Sequence, residues 1–197
     1  DIGKLYLGIS FNEDQFNTFD QSILKKVEGK LIQILAENGI AASGYNNGLI
    51  IEPNIIINNN EIVEGGMQNI NVTKITLQIL IKQDQTQKIF TSLSKDLKGT
   101  GKTTDIAINN AINSLSSNDS SISNFIEKSK SKINQYYEQN CSSIINRASS
   151  LEKTGQYEEA LALIMSVPES ASCYNNAQNK ALETYKKLQL PTWGPDL

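Results

Sequence analysis

The clearest structural signal in this chain is Lys74-Ile75-Thr76-Leu77-Gln78-Ile79-Leu80-Ile81-Lys82, in which apolar and polar side chains alternate. Alternation with a period of two is typical of a β-strand that buries one face. A short polar link at residues 84–87 leads into a second β-like stretch from Lys88 to Leu97. Because the link is so short, the two strands are expected to return on each other as an antiparallel hairpin.

Patterns on either side of this hairpin extend the sheet. Upstream, Lys4 to Ser10 alternates like a half-buried strand, and the next helix is predicted to begin with a Thr18–Gln21 capping box and to end at Asn38-Gly39. Two β-like runs flank Pro53, which lacks a ladder donor, so that strand is predicted to lie at a sheet edge or to break at a bulge. Downstream, a helix from Thr104 to Leu115 is expected to pack on the sheet.

The resulting order, β-α-β-β-β-α, predicts an α+β sheet domain over residues 1–116. The segment Ser116 to Ser121 is small and polar, and therefore marks a boundary. Beyond it the apolar period is helical over residues 121–190, where one long helix ending near Thr154-Gly155 precedes two shorter ones. Two prolines and a glycine in residues 191–197 predict an extended tail.

Composition argues against several classes of function. The net charge of −3 and the pI near 5.1 leave no positive field for nucleic acid. Histidine is absent, which removes the usual general base at neutral pH and the commonest zinc ligand. No apolar run of the sequence approaches the length of a transmembrane segment. We therefore expect no catalytic residues, no cofactor and no metal.

One stretch suggests an enzymatic site, namely Gly99-Thr100-Gly101-Lys102-Thr103-Thr104. A phosphate-binding P-loop needs a glycine separated from Gly101 by four residues, so that backbone N–H groups can surround the phosphates. Asp96 occupies that position, and its carboxylate would repel phosphate. We predict a glycine turn that leads into a capped helix. A nucleotide-binding enzyme built on Gly99 to Thr104 is the alternative.

The C-terminal helices resemble the tetratricopeptide helix-turn-helix. Five residues stand at its spacing, in which small side chains let two helices touch and a tyrosine fills the gap: Ala148, Leu151, Gly155, Tyr157 and Ala160. Only one degenerate repeat is visible, whereas a solenoid needs about three repeats to stand alone. The resemblance therefore implies a helical hairpin that docks on the sheet domain or on a partner.

The N-terminal domain resembles the small α+β domains of bacterial envelope lipoproteins of the curli-secretion and penicillin-binding-protein-activator type. In those domains, too, a strand hairpin is followed by a glycine-rich turn and a helix like Thr104 to Leu115. The whole arrangement is also similar to uncharacterised secreted or phage-encoded proteins of Bacteroides-like bacteria. The sequence begins with Asp1 rather than Met, which we interpret as a fragment or as the removal of an N-terminal segment such as a secretory signal.

Cys141 and Cys173 are the two cysteines of the chain, and both lie in the helical part. In the tetratricopeptide frame they begin successive first helices, which pack side by side, so the resemblance makes a disulfide between them geometrically feasible. The alternative is a pair of small buried hydrophobic residues. The even cysteine count and the missing Met favour the disulfide.

Aromatic residues supply the candidate contact residues. We expect Tyr137 and Tyr174 to lie on a surface of the helical hairpin that stays free for a partner, with helix packing as the alternative. Trp193, the one tryptophan of the chain, lies in the extended tail, where it packs on the third helix or contacts another subunit. The strand edge near Pro53 is the other candidate surface.

These observations lead to one functional hypothesis and two alternatives. The hypothesis is a non-enzymatic interaction or assembly module of an exported protein in the bacterial periplasm or outside the cell. Its partner is a protein, with a homo-oligomer as one option. The first alternative is a structural subunit of a bacteriophage virion, of the ring or neck type. The second is the nucleotide-binding enzyme considered above.

Overall fold

The computed structural model describes residues 5–42 and 48–189, and within these ranges the chain forms five strands and six helices. The strands are β1 (Tyr6–Ile9), β2 (Ala41–Ala42), β3 (Leu49–Gly65), β4 (Gln68–Gln83) and β5 (Lys88–Gly101). The helices are α1 (Glu13–Thr18), α2 (Gln21–Glu37), α3 (Thr104–Asn113), α4 (Ser120–Lys153), α5 (Tyr157–Met165) and α6 (Tyr174–Gln189).

The strands form one mixed sheet in the order β2-β1-β3-β4-β5. β1 is parallel to both β2 and β3, whereas β3, β4 and β5 are antiparallel to their neighbours. The parallel neighbours β1 and β2 are connected through α1 and α2, because a parallel pair needs a crossover. The predicted α+β class is confirmed, and α1 and β2 are short elements that the sequence analysis did not predict.

The start of the first long helix differs from the sequence prediction. Thr18 ends α1, and α2 begins at Gln21 after the N-cap residue Asp20, whose side chain makes no capping hydrogen bond. Phe19 is extended, with φ −115° and ψ 145°, and it separates the Thr18 side chain from the first turn of α2. The Thr18 hydroxyl donates instead to the Asp14 carbonyl oxygen at 2.7 Å. The predicted capping box is therefore wrong.

One face of the sheet carries the hydrophobic core. The apolar residues of the β4 alternation point to this face, and each is at most 2% exposed: Ile75, Leu77, Ile79 and Ile81. α3 packs on β4 and β5, and α2 packs beside α3. Thr76 and Gln78 point to the opposite face, where they are only half-buried. The alternation in the sequence thus separates a covered face from an open one.

Gly99 and Gly101 lie inside β5 rather than in a turn, and they pair with Thr73 and Asn71 of β4. The predicted glycine turn is therefore wrong at these positions. A P-loop needs backbone N–H groups that are free for phosphate, whereas this backbone belongs to a β-ladder. The capped helix is confirmed, because the Thr103 side chain accepts a hydrogen bond from the first turn of α3.

The reason for glycine at position 99 is the close approach of α3. A Cβ atom at Gly99 would overlap the carbonyl oxygen of Ala107 and the backbone nitrogen of Ala111. Helix α3 therefore crosses β5 so closely that no side chain fits between the two backbones.

Replacing Gly99 with alanine tests this contact. The new Cβ would meet helix backbone, so Gly99→Ala is expected to lower the free energy of unfolding by about 1–3 kcal/mol or more. The matched control is Gly29→Ala in α2, where the space around the glycine is open. Alanine there should raise stability by about 0.5–1 kcal/mol, because it favours helix. Urea denaturation measures both, and a Gly99→Ala variant as stable as wild type would contradict the close approach.

The three C-terminal helices pack at the side of the sheet that ends in β5. α4 contacts β5 and α5, and α5 packs on α6. The predicted boundary at residues 116–121 lies between α3 and the start of α4. The buried apolar residues on its two sides belong to one continuous cluster. The division into domains at residues 1–116 and 121–190 stays a prediction, and the tail at 191–197 lies outside the described residues.

Candidate interaction surfaces

β3 and β4 continue beyond the sheet as a two-stranded arm, defined here as residues 61–70. β5 ends at Gly101, which pairs with Asn71, so within the described residues no third strand accompanies the arm. Every residue of the arm is exposed. Its large apolar side chains are Ile62 (62% exposed), Val63 (49%), Met67 (99%) and Ile70 (43%). Exposed apolar side chains grouped on one projecting element indicate an interaction surface.

Polar side chains fix the base of the arm against the start of α3. The Asn60 side-chain amide donates to the Thr104 hydroxyl at 3.0 Å, and the Thr73 hydroxyl donates to the side-chain oxygen Oδ1 of Asn60 at 2.7 Å. The Asn71 amide donates to the Lys102 carbonyl oxygen at 3.0 Å, and its own oxygen accepts from Thr104 at 3.3 Å. Hydrogen bonds therefore orient the arm without using its apolar residues.

The outer edge of β3 is covered near the sheet and open along the arm. β1 pairs with β3 only as far as Ile51. The buried Gln15 then replaces a strand, because its side-chain oxygen accepts from the Ile55 N–H at 2.7 Å and its amide donates to the Ile55 carbonyl at 3.4 Å. Pro53 lies between these contacts, where a missing N–H leaves no gap in the ladder. β3 is the third of the five strands in the sheet, so the predicted edge position holds only locally, beyond Ile51, where β1 no longer pairs with it. Pro53 itself is buried, so the predicted exposed surface at this residue is wrong. A bulge is present further on, between Ile57 and Asn59.

The other edge of the sheet borders a groove of about 420 Å³ between β5 and α4, called here the β5 groove. One wall is the stretch Ile89–Leu93 of β5, in which Ile89 is 51% exposed. The other wall includes Lys128 and Lys132, which are exposed and one helical turn apart. Neither lysine has an ion-pair partner within the described part of the chain. The groove is therefore partly apolar and positively charged.

At the start of α4, near the β5 groove, Lys95 forms an ion pair with Asp119, the N-cap residue. The hydrogen bond from Lys95 is the main cause of a lowered pKa for the Asp119 carboxyl, and the hydroxyl and backbone N–H of Ser121 add to it. Together they lower the pKa to about 2. Asp119 is thus neutralised by its own contacts and leaves the positive charge of the groove in place.

A third surface is an open, apolar groove of about 510 Å³ between α5 and α6. Leu161, Met165, Leu182 and Tyr185 line it. The helical hairpin thus exposes apolar surface, although not at the residues that the sequence analysis proposed.

Tyr137 is buried and does not belong to a partner surface, so this prediction is wrong. Its side chain is 0% exposed, packs on Phe90 and Tyr136, and donates from its hydroxyl to Ser166 Oγ at 2.6 Å. Burial raises the pKa of its phenol. The reason is helical spacing, because Ile133, Tyr137 and Cys141 form one stripe that faces the core. The packing alternative therefore holds.

Tyr174 is half-buried at the start of α6. Burial raises the pKa of its phenol, and the nearby Glu169 and Tyr6 add to the effect. A partner role for Tyr174 stays a prediction. Trp193 lies outside the described residues.

The arm is the surface that the sequence analysis missed. The available signal was the pair Ile62-Val63 between Glu61 and Glu64, directly before the turn at Gly65-Gly66. Moreover, the sequence contains no lysine or arginine from position 49 to position 73. Apolar residues flanked by acids next to a tight turn also occur in ordinary hairpins. The arm is recognised only in the structure, because the pairing of β3 with β4 continues beyond the end of β5.

Cys141 and Cys173 form a disulfide in the structure, with their Cα atoms 5.8 Å apart. The bond joins the middle of α4 to the residue directly before α6, and both cysteines are 8% exposed. It is the pairing that the sequence analysis favoured.

In solution, peptide mapping without reductant should find Cys141 linked to Cys173. Because the linked residues are 32 positions apart, opening the bond should lower stability by about 3–4 kcal/mol in the chain-entropy description. Reductant should therefore lower the urea midpoint of the wild type. The Cys141→Ala/Cys173→Ala variant, already less stable, should not respond to reductant. Two freely alkylated thiols in the native protein would refute the pairing.

Glu152 connects the end of α4 to α6. Its carboxylate accepts hydrogen bonds from Lys180 at 2.8 Å, from Lys187 at 3.3 Å and from the Thr184 hydroxyl. Burial alone would raise the pKa of Glu152, but these three hydrogen bonds outweigh it and hold the pKa below the ordinary value. A buried carboxylate with three donors contributes to stability only while it is charged.

Glu152→Gln should therefore lower the free energy of unfolding at neutral pH by about 1.5–3 kcal/mol. The folded pKa is lowered, so this contribution is present above the ordinary pKa of 4.5 and is lost as the pH falls through the folded value. The difference between wild type and variant should shrink in acid. Glu183→Gln, at an exposed position of α6, is the control, and equal stability of all three proteins at pH 7 would disprove the role of Glu152.

The described residues contain neither a metal-binding cluster nor a membrane-spanning helix. No group of three or more Cys, Asp or Glu residues there could hold a metal ion. None of the helices described is both long enough and apolar enough to cross a membrane.

Comparisons with known proteins assign no family to this chain. No protein-family model and no curated protein sequence matches it. A solved structure of a minor lipoprotein from Acinetobacter baumannii aligns with 55% of this chain and 86% of its own, at 14% identity and a TM-score of 0.35. A putative neuraminyllactose-binding hemagglutinin homolog from Helicobacter pylori aligns over 64% of this chain and 79% of its own, at 16% identity and a TM-score of 0.32.

Proposed function

We propose that this chain is a non-enzymatic interaction and assembly module of an exported protein, and that the arm is its recognition surface. The observation that carries the proposal is the exposure of large apolar side chains along residues 61–70. These side chains lie outside the hydrophobic core of the chain. A partner that covers them gains the free energy of removing them from water.

Covering these side chains favours binding and offsets part of the free energy that association costs. Fully burying one side chain of this kind contributes about 1.5–3 kcal/mol, and the arm exposes four of them. The open edge of β3 adds backbone hydrogen bonds, because a strand of the partner can extend the ladder there. Ile56 and Ile57, 48% and 42% exposed, continue the apolar surface toward the sheet.

Charge favours a protein as the partner. The arm carries Glu61 and Glu64, and the sequence has no basic residue between positions 49 and 73. Nucleic acid and anionic membranes need clustered lysine or arginine, so they would be repelled by this surface.

The disulfide supports location in the periplasm or outside the cell. The bond between Cys141 and Cys173 lies at the junction of α4 and α6, where it restrains the helical part. Disulfides form and persist in oxidising compartments and are rare where thiols are kept reduced.

Site-specific photo-crosslinking in the cells that produce the protein tests the role of the arm. A photoreactive residue at Met67, which is 99% exposed, should give adducts with protein. The control is the same residue at Ile32 of α2, an exposed apolar position away from the arm, 42% exposed. Adducts at Met67 should disappear when Ile62→Asp and Ile70→Asp remove the apolar surface. Equal labelling at Met67 and Ile32, or none at Met67, would refute the proposal.

A further inference from the structure

The arm and the β5 groove are complementary in shape and in charge. The arm is an extended strand pair with an open edge, two exposed glutamates and apolar side chains between them. In the β5 groove, one wall is an edge strand with an exposed isoleucine, and the other carries two lysines without an ion-pair partner among the described residues. A strand that is added to a sheet edge forms backbone hydrogen bonds with the edge strand, and every second side chain of the added strand then determines the specificity.

The charges of the groove all favour an acidic strand. Lys128 and Lys132 stand on α4, and Lys88 lies at the first position of β5 with its ammonium 5.8 Å from the Tyr136 ring. Next to the residues that line the groove, Lys95 pairs with Asp119, and Glu127 pairs with Lys130.

We propose that the occupant of the β5 groove is the arm of a second copy of this chain. Glu61 and Glu64 are three positions apart on one strand and point to opposite faces of the arm, so the contact sets one of them against Lys128 and Lys132 of the next copy. The exposed Ile89 then meets the apolar side chains of the arm. This inference rests on the proposed function of the arm and names its partner.

A symmetric contact between two arms is less favourable. Antiparallel pairing of two β3 edges, centred between Ile62 and Val63, places Glu61 of each copy opposite Glu64 of the other. Like charges directly opposite each other destabilise a strand pair. The β5 groove offers opposite charges instead, so binding of the arm to the groove is favoured over pairing with another arm.

The proposed contact joins two different surfaces, so two copies either exchange arms about a two-fold axis and close as a dimer, or join head to tail. Head-to-tail contacts leave one arm and one groove free at the two ends, so growth continues until a ring closes or a filament forms. The assembly should therefore dissociate at high salt, since its specificity depends on exposed charge pairs.

Charge reversal tests this pairing. Analytical ultracentrifugation over a range of protein concentrations should show that the wild type self-associates. Both Glu61→Lys/Glu64→Lys and Lys128→Glu/Lys132→Glu should weaken association by about tenfold or more, because attraction between arm and groove becomes repulsion. Lys25→Glu/Lys26→Glu, which makes the same charge change on exposed positions of α2, should associate like wild type. Circular dichroism checks that all variants are folded.

The decisive measurement is the rescue. A mixture of the two weakened variants should assemble, and so should a single chain that carries all four reversals, because arm and groove are again opposite in charge. A symmetric arm contact would not respond to the groove variants at all. A wild type that stays monomeric at its highest soluble concentration overturns the inference, as does the failure of both rescues. If the arm of a monomeric wild type still crosslinks to another protein, the proposed function stands without the self-assembly; if Met67 gives no adducts, the proposed function falls as well.

Discussion

The rest of the structure depends on the antiparallel ladder between β3 and β4. It runs from the pair Leu49–Gln83 to the pair Gly65–Gln68, a length of roughly 50 Å at the usual rise per residue. Its first half forms the floor of the hydrophobic core, which α3 covers. Its second half leaves the core and becomes the arm. The same hydrogen bonds therefore provide both the scaffold and the candidate recognition surface.

The two halves of the β3 edge are treated differently, and the difference bears on function. Near the sheet, Gln15 satisfies the backbone of Ile55, and Pro53 removes a donor that would otherwise attract another strand. Along the arm, the described residues provide no such cover. Proteins usually protect long apolar edges, because bare ones aggregate. Glu61 and Glu64 are the remaining protection, and they oppose pairing with an identical arm while permitting pairing with a basic surface.

Much of the fold could be predicted from the sequence, because local rules govern it. Alternation defined β4, and Thr154-Gly155 closed α4. The failures depend on long-range contacts. Gly99 has no side chain to show alternation, and its position in a strand follows from the closeness of α3. The helical period placed Tyr137 on the apolar stripe of α4, but it did not show that this stripe packs against the residues around Ser166. The arm was missed because no local pattern shows where a strand pair leaves the core.

The positions of the two complementary surfaces also constrain any assembly. The β5 groove lies beside Ile89–Leu93, which pairs with the last residues of β4. The first residues of β4 belong to the arm. Arm and groove are therefore about eleven residues apart along the strands, or roughly 35 Å. A copy that places its arm in the groove of its neighbour, with its strands parallel to the neighbour's strands, is displaced by that length. The bodies of adjacent copies then overlap little, so the contact is confined to the arm and the groove. With antiparallel strands, the second copy is reversed and its own groove comes beside the arm of the first. In the parallel arrangement, opposite charges rather than a large buried area would specify the partner, since electrostatic complementarity governs specificity more than affinity.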